Sequence, residues 1–441
     1  MQESKRLQKG MALVFTLFVL VIVSVIGLGI VTVLMSGSKG SFGYLNNTKA
    51  LYCARAGVSR AIAQLEANPL WTTKTENLGN GSYTVTATPD PNNGTRPLKQ
   101  WSISSQGSSG GATRTLTVFL QQGSFAAYAY FTDKEQAPGG GTIWFIGQDQ
   151  LTGDVHTNGY FSMLQHPQFS SKVTSSQGVV DGPVDAFYTQ ATATYSQGPG
   201  AGPYTNPAYF YHDNSSYATD GPVALSSSPS FTFAGGQPNV PMPANLNSIS
   251  SSASQTLTGN CTMVFQNTAH VVVTGCAPAG TYSTAGATFW VTGSAYISGT
   301  FSGNATVGSA QDIHVTNSVV YNDKTKDILG LAATNNVYVD TASSGNFEID
   351  ASIMALNTSF SVVGYNAGAP RGTLTVFGGI IQTDRGPVGQ GTLSGGVLTM
   401  THGYAKNYVY DNVLMNTPPP NFPTTGLIVV KEWLDSNALG H

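Results

Sequence analysis

The alternation of apolar and polar positions changes period twice along this chain. From Met11 to Met35 there are 25 consecutive residues without a charge (MALVFTLFVLVIVSVIGLGIVTVLM). As a helix this run measures ~38 Å against ~30 Å of bilayer hydrocarbon, enough to cross a membrane. Beyond it, Leu51, Ala54, Val58, Ala61 and Leu65 recur every three or four residues, the stripe of an amphipathic helix. Ser36–Gly43, between the two, holds three glycines in eight residues. Each glycine costs a helix about 1 kcal/mol relative to alanine. The pattern therefore allows one helix from Met11 to Ala67, ~85 Å long, or two helices with a hinge, and Asn68-Pro69 ends either. Period two then takes over. Gly81–Thr88, Trp101–Gly107 and Thr113–Leu120 alternate as strands, with Asp90-Pro91-Asn92-Asn93-Gly94 as a turn. The reading for residues 36–122 is a helix carrying a small antiparallel meander.

From 123 to 402 the chain consists of short apolar runs punctuated by Gly, Asn, Ser and Thr, with almost no helical period. Ile313–Val320, Phe347–Met354 and Leu374–Ile381 share apolar residues at relative positions 1, 3, 7 and 8, at offsets of 34 and 27 residues. Looser copies stand at Phe289-Trp290-Val291 and Thr152–Gly159. Such units cannot bury their apolar face alone, and stacking them as successive coils is the physical solution. The prediction is a right-handed β-solenoid, with a β-sandwich carrying irregular loops as the alternative that the unequal offsets leave open. Residues 403–441 end in Leu427–Trp433, a strand expected to rejoin the first sheet. The fold class is then α+β, a long N-terminal helix plus a small antiparallel sheet, with a large all-β insertion.

Composition places this architecture outside a reducing, charge-rich environment. Only 9% of residues are charged and 51 are glycine, so hydroxyls and amides must solubilise the surface, as in a secreted β-rich protein. Lys5, Arg6 and Lys9 precede the apolar run, which puts residues 1–10 in the cytoplasm and everything after Met35 outside. The run is too long for a secretory signal peptide, and no small-residue cleavage site follows it. Net charge is −3, and residues 1–10 contribute +2 of it (three bases against Glu3), leaving −5 without them. Of the three cysteines, Cys261 and Cys276 lie fifteen residues apart, either as a disulfide of an oxidising compartment or as two buried thiols. Cys53 stands alone in the helical stretch.

Gly10-Met11-Ala12-Leu13-Val14 behind a short basic leader resembles the processing site of type IV pilins. The resemblance implies a leader at 1–10, cleavage between Gly10 and Met11 by a prepilin peptidase, and N-methylation of Met11. It also implies an 11–35 segment that leaves the inner membrane, where the chain would be a single-pass protein with its C-terminus outside, to join a pilus at the cell surface. Ala54–Leu65 is similar to the A-E-A-G-x-x-x-A-x-x-x-L stretch of PilX-type minor pilins, with Arg55 where that family has Glu. Gly153–Gly159 and the tail Tyr410–Pro423 resemble elements of large PilX-type pilins with a solenoid insertion, some of which serve competence. Most pilins carry glutamate at the fifth mature position, and here that position is Phe15. An unpaired carboxylate at membrane depth costs roughly 2.5–3.5 kcal/mol, so a subunit with nothing above it gains by losing the group. The omission resembles tip subunits, including the K-type pseudopilin of type II secretion, and drift in a seldom-incorporated subunit would give the same residue. The implied role is a minor, tip-placed, non-enzymatic pilin with other pilins and the assembly machinery as partners.

Catalytic and metal constellations are not evident: there is no G-x-S-x-G, phosphate loop, H-E-x-x-H or paired C-x-x-C, so no cofactor is expected. His156 near Asp154 reads as a chance neighbour on a strand. Asp323, Asp327, Asp340 and Asp350 fit no calcium loop and read as solvated turn carboxylates rather than the groove acids of a polysaccharide-active enzyme. Between 139 and 402, five bases (Lys172, Lys324, Lys326, Arg371 and Arg385) face thirteen acids, a balance of −8 that disfavours DNA. Tyr188, Tyr195, Tyr204, Tyr209, Tyr211 and Tyr217, set among Gly, Pro, Ser and Asn, form a candidate adhesive surface for carbohydrate or protein, equally readable as an ordinary solenoid flank.

Overall fold

The computed structural model describes residues 3–435 except 95, 142, 165–166, 178–209, 212–222, 226–231, 342–343 and 395–396. The chain forms two compact units. One comprises the N-terminal stretch through Pro91, Gln100–Gln121 and the segment from Ile428; the other comprises Asn92–Lys99 and Gln122–Leu427.

In the first unit a single helix, α1 (Glu3–Ala67), runs unbroken through the glycines at 37, 40 and 43, so the hinge option falls away. Ala50, Ala54, Val58, Ala61 and Leu65 are each 1% exposed or less, while Leu51 is only half-buried. The stripe packs on β1 (Thr73–Leu78), β2 (Gly81–Pro89), β3 (Gln100–Ser109) and β4 (Ala112–Ser124), and the C-terminal strand Thr424–Asp435 completes the sheet beside β4. Tyr83, Val85, Ala87, Trp101, Ile103, Leu116, Val118 and Leu120 supply the facing layer. The Ser105 hydroxyl, buried under the helix, donates to the Ala54 carbonyl at 2.7 Å. β1 was not predicted: Thr-Lys-Thr-Glu-Asn-Leu is almost wholly exposed and becomes a strand through its antiparallel pairing with β2.

The second unit is a stack of coils with three parallel ladders, which excludes the sandwich. On the first ladder one buried column of inward side chains runs Phe289, Val307, Leu331, Ile353, Ile380, Tyr130, Val155 and Val173. On the second, Met263, Ile297, Val315, Val339 and Val362 stack. The third carries Val319, Ile349, Val376, Tyr408, Leu151 and Phe169. These columns merge into one core, and burying each large apolar side chain contributes about 1.5–3 kcal/mol.

The order of coils in space is not the order in the chain. The chain enters the stack in the middle, at Tyr130, and builds toward one end through Val155, Val173 and Phe233. It then crosses to the far end, restarts at Gln255, and builds back until Ile380 pairs with Tyr130 and Tyr408 with Leu151. The crossing segment places Val240, Leu246 and Ile249 on the outer side of the first ladder, against Ala332, Met354, Ile381 and Phe131. Both amide atoms of Asn158 hold it, Oδ1 accepting from Val240 N at 3.0 Å and Nδ2 donating to Val240 O at 2.8 Å. The proline-rich segment after Asp411 lies on the same side, where a Cβ on Gly330 would stand 2.8 Å from both Phe422 and Pro419. The first ladder is thus covered on both faces, which explains strands such as Ile328–Ala333 with every residue buried.

Two boundaries and one register depart from expectation. The strand Val397–Val409 continues the stack past 402, and the chain rejoins the helix-bearing unit only at Ile428. The 27-residue offset is the true register, Phe347 opposite Leu374. The 34-residue offset is slipped by four, because Val319 rather than Val315 lies opposite Ile349. The loops between coils differ in length, so apolar spacing alone cannot fix pairing.

Candidate functional site

A cluster of four charged groups in the described head sits where the returning chain meets its own beginning. Arg385 follows the strand Pro370–Asp384, and Glu135 follows the strand Tyr130–Lys134, which pairs with it. Arg385 Nη1 lies 2.9 Å from Glu135 Oε2, with the two side chains 3% and 2% exposed. The guanidinium also donates to the carbonyls of Ile143 (3.0 Å) and Trp144 (3.2 Å), and lies 3.6 Å from the Phe145 ring centre. Beside it Lys406 Nζ contacts Asp149 Oδ2 at 2.5 Å and the Trp144 carbonyl at 3.3 Å. Thr132 hydrogen-bonds Glu135, and Gln382 Nε2 reaches Tyr130 Oη at 3.3 Å.

Burial dominates the electrostatics. It pushes the Glu135 carboxyl above its usual range, although Arg385, Thr132 and Lys406 oppose the shift. Burial would also lower Arg385, yet Tyr130, Glu135 and Asp149 hold the guanidinium above its ordinary value. A guanidinium does not deprotonate, so this pair is ionic and any proton taken up on acidification goes to Glu135. Burial lowers Lys406 against the pull of Asp149. The four charges cancel, and Asp149, Arg385 and Lys406 line a cavity of about 420 Å³ with Trp144, Tyr365, Asn366, Gln390 and Met400 around them. Sequence reasoning passed over all four charged residues, three of them unweighed and Arg385 counted only among the bases. No local signal marked them: Glu135 follows Asp133 and Lys134, Arg385 follows Asp384, and their partners lie some 250 residues away.

The residues singled out earlier fall elsewhere. Gly10 and Met11 lie within α1, and Phe15 is 69% exposed on it. Cys261 and Cys276 form a disulfide with Cα atoms 4.9 Å apart, in the antiparallel excursion of Cys261–Gln266, His270–Thr274 and Gly280–Ser283. Cys53 is buried and unbridged. Tyr188, Tyr195, Tyr204, Tyr209 and Tyr217 lie outside the described residues, and Tyr211 is described only by its backbone, paired with Ser162. His156 is buried, with Nδ1 2.8 Å from Thr174 Oγ1 and its ring stacked on Phe131 at 5.5 Å. Asp154 accepts from the Ser171 hydroxyl at 2.6 Å. Of the five bases between 139 and 402, four hold internal partners: Lys324 with Glu348 and Asp350, Lys326 with Asp323, Arg371 with three carbonyls, and Arg385 as above. Among the described residues no three His, Cys, Asp or Glu side chains gather as a metal would need.

The four aspartates correct one expectation. Asp323 and Asp340 are turn or surface groups, and hydrogen bonds from Thr325 and Lys326 lower Asp323 to about 2. Asp327 and Asp350, by contrast, are 5% and 0% exposed, so they are not solvated. Asp350 accepts from Tyr321 N at 2.8 Å, and burial raises its carboxyl to about 6. Because its folded pKa exceeds the unfolded value near 4, the folded state holds this proton more tightly. The stabilisation is fully present below the unfolded value and is lost as pH rises through about 6. Asp350→Asn keeps an acceptor for Tyr321. Its unfolding free energy, measured from pH 4 to 7, is expected to lack this fall, a relative gain of about 2–3 kcal/mol at pH 7. Parallel pH profiles for the two proteins would count against the assignment.

Comparison with known proteins gives three findings. Residues 82–178, from β2 into the first coils of the head, match a family described as a domain of unknown function, DUF4900. Among curated proteins none matches. Among solved structures, the competence-associated pilin ComZ from Thermus thermophilus aligns over 88% of this chain and 97% of its own, with 11% identity and a TM-score of 0.34.

Proposed function

We propose that the chain is a minor, non-enzymatic subunit of a type IV pilus or a related secretion filament. In this reading α1 anchors it in the inner membrane with its C-terminus outside. Prepilin peptidase cuts between Gly10 and Met11, Met11 is methylated, and the helix then bundles with those of other pilins while the head is displayed at the surface. The observation that carries the proposal is the division of labour along one continuous helix. Its stripe from Ala50 to Leu65 is buried by the chain's own sheet, whereas Leu13 to Met35 is apolar on every side and exposed along its whole length. Side chains such as Leu13 (69% exposed) and Val33 (72%) need lipid at one stage and neighbouring helices at another. Phe15 in place of a carboxylate supports placement at the tip, where no subunit above offers a partner. The internal pairing of the head's bases supports adhesion over DNA uptake.

Mass spectrometry of sheared filaments tests this. The chain is expected in that fraction with Met11 as its N-terminal residue, and Gly10→Val is expected to leave it full-length in the membrane fraction. A wild-type chain beginning at residue 1, or one missing from sheared filaments, would overturn the proposal, as would a Gly10 variant that still reaches the surface.

A further inference from the structure

The cavity beside Arg385 and Lys406 has the size and lining of a ligand site, and two observations define what it would accept. The first is charge. Arg385 is answered by Glu135 and the carbonyls of Ile143 and Trp144, and Lys406 by Asp149 and the same Trp144 carbonyl. An anion would have to displace a carboxylate from a buried pair, and a cation would have to displace a base. Either exchange leaves a charge uncompensated away from water. The site therefore selects a neutral molecule.

The second observation is the lining above this floor. Trp144 and Tyr365, both half-buried, bring aromatic surface from the two runs of chain that meet here. Asn366 and Gln390, both exposed, add amide donors and acceptors. Aromatic faces suit the C–H face of a pyranose ring, and amides suit its hydroxyls. A volume of about 420 Å³ falls at the small end of ligand cavities. We propose that this cavity binds a neutral saccharide of one or two hexose units, with Trp144 and Tyr365 as the stacking platform and Asn366 and Gln390 reading hydroxyls. The proposal rests on the head being an exposed, adhesive part of the protein. It assigns that role to the junction of the stack rather than to the tyrosine-rich segment.

The full chain, purified in a zwitterionic detergent free of sugar, would be examined by saturation-transfer NMR. The probes are glucose, galactose, mannose, N-acetylglucosamine and neutral disaccharides built from them, with glucuronic acid and benzyl alcohol as charged and apolar controls. At least one neutral sugar is expected to bind with a Kd in the millimolar range or below, and Trp144→Ala and Tyr365→Ala are each expected to weaken it by about tenfold or more. Asn366→Ala, at an exposed position, is expected to weaken the same sugar without moving the melting temperature, which covers the case in which an aromatic variant fails to fold. No binding by any neutral sugar at about 10 mM, preference for either control, or wild-type affinity in the folded variants would overturn the proposal. Binding is read on the isolated chain and filament incorporation on sheared pili, so one reading can fail while the other stands.

Discussion

Arg385→Ala is expected to destabilise the head by about 3–5 kcal/mol, because it strands Glu135 as a buried charge without a partner. Loss of the guanidinium also takes the Arg385 donors from the carbonyls of Ile143 and Trp144, the latter keeping Lys406, and removes the nearer cation from the face of Phe145. Hydrogen exchange is the direct measurement: peptides covering 130–135 and 380–385 are expected to exchange faster, since these segments pair across the junction. The double replacement Arg385→Met with Glu135→Leu removes both charges and is expected to recover much of the loss. If the single variant costs less than about 1 kcal/mol, the pair is solvated in solution and the junction is held by apolar stacking alone.

Gly107→Val is expected to be still more disruptive to the helix-bearing unit. A Cβ at position 107 would stand 2.0 Å from the Ala50 carbonyl oxygen and 2.4 Å from Ala54 N, so its neighbours are helix backbone rather than yielding side chains. Over-packing a well-filled core typically costs 1–3 kcal/mol. With backbone on the opposing side the helix must move bodily, so a loss of more than about 3 kcal/mol is expected. The readout is protection of the amides from Ala50 to Leu65, along with those of β2 and β3. Unchanged protection there would mean that α1 does not lie against β3 in solution.

Features set by local period were legible in the sequence, and those set by long-range pairing were not. The uncharged run to Met35 is continuous and the stripe ending at Leu65 depends on residues three or four apart, and both read correctly as helix, except that Ala50 rather than Leu51 is the buried start of the stripe. The glycines at 37, 40 and 43 suggested a hinge because propensity penalises each one, but their summed penalty does not break a helix flanked by long helical runs on both sides. β1 escaped notice because pairing rather than alternation makes it a strand. In the head, apolar positions 1, 3, 7 and 8 revealed stacking, and the 27-residue register from Phe347 to Leu374 was right. The register at Val319 was not, since side loops of unequal length separate the ladders. Nothing near Ile380 announces Tyr130 as its neighbour, or near Tyr408, Leu151, and the same distance hid the ion pairs and the cavity they line.

The mid-stack entry of the chain bears on how the protein is made. The described strands between Tyr130 and Phe233 are synthesised before the strands on which the first of them rests, those reaching Ile380 and Tyr408. Contacts of such sequence separation form slowly and late. Synthesis must therefore be nearly finished before the early storeys have a foundation. A nascent chain halted after residue 300 would carry an open strand edge, a ready template for pairing with other chains.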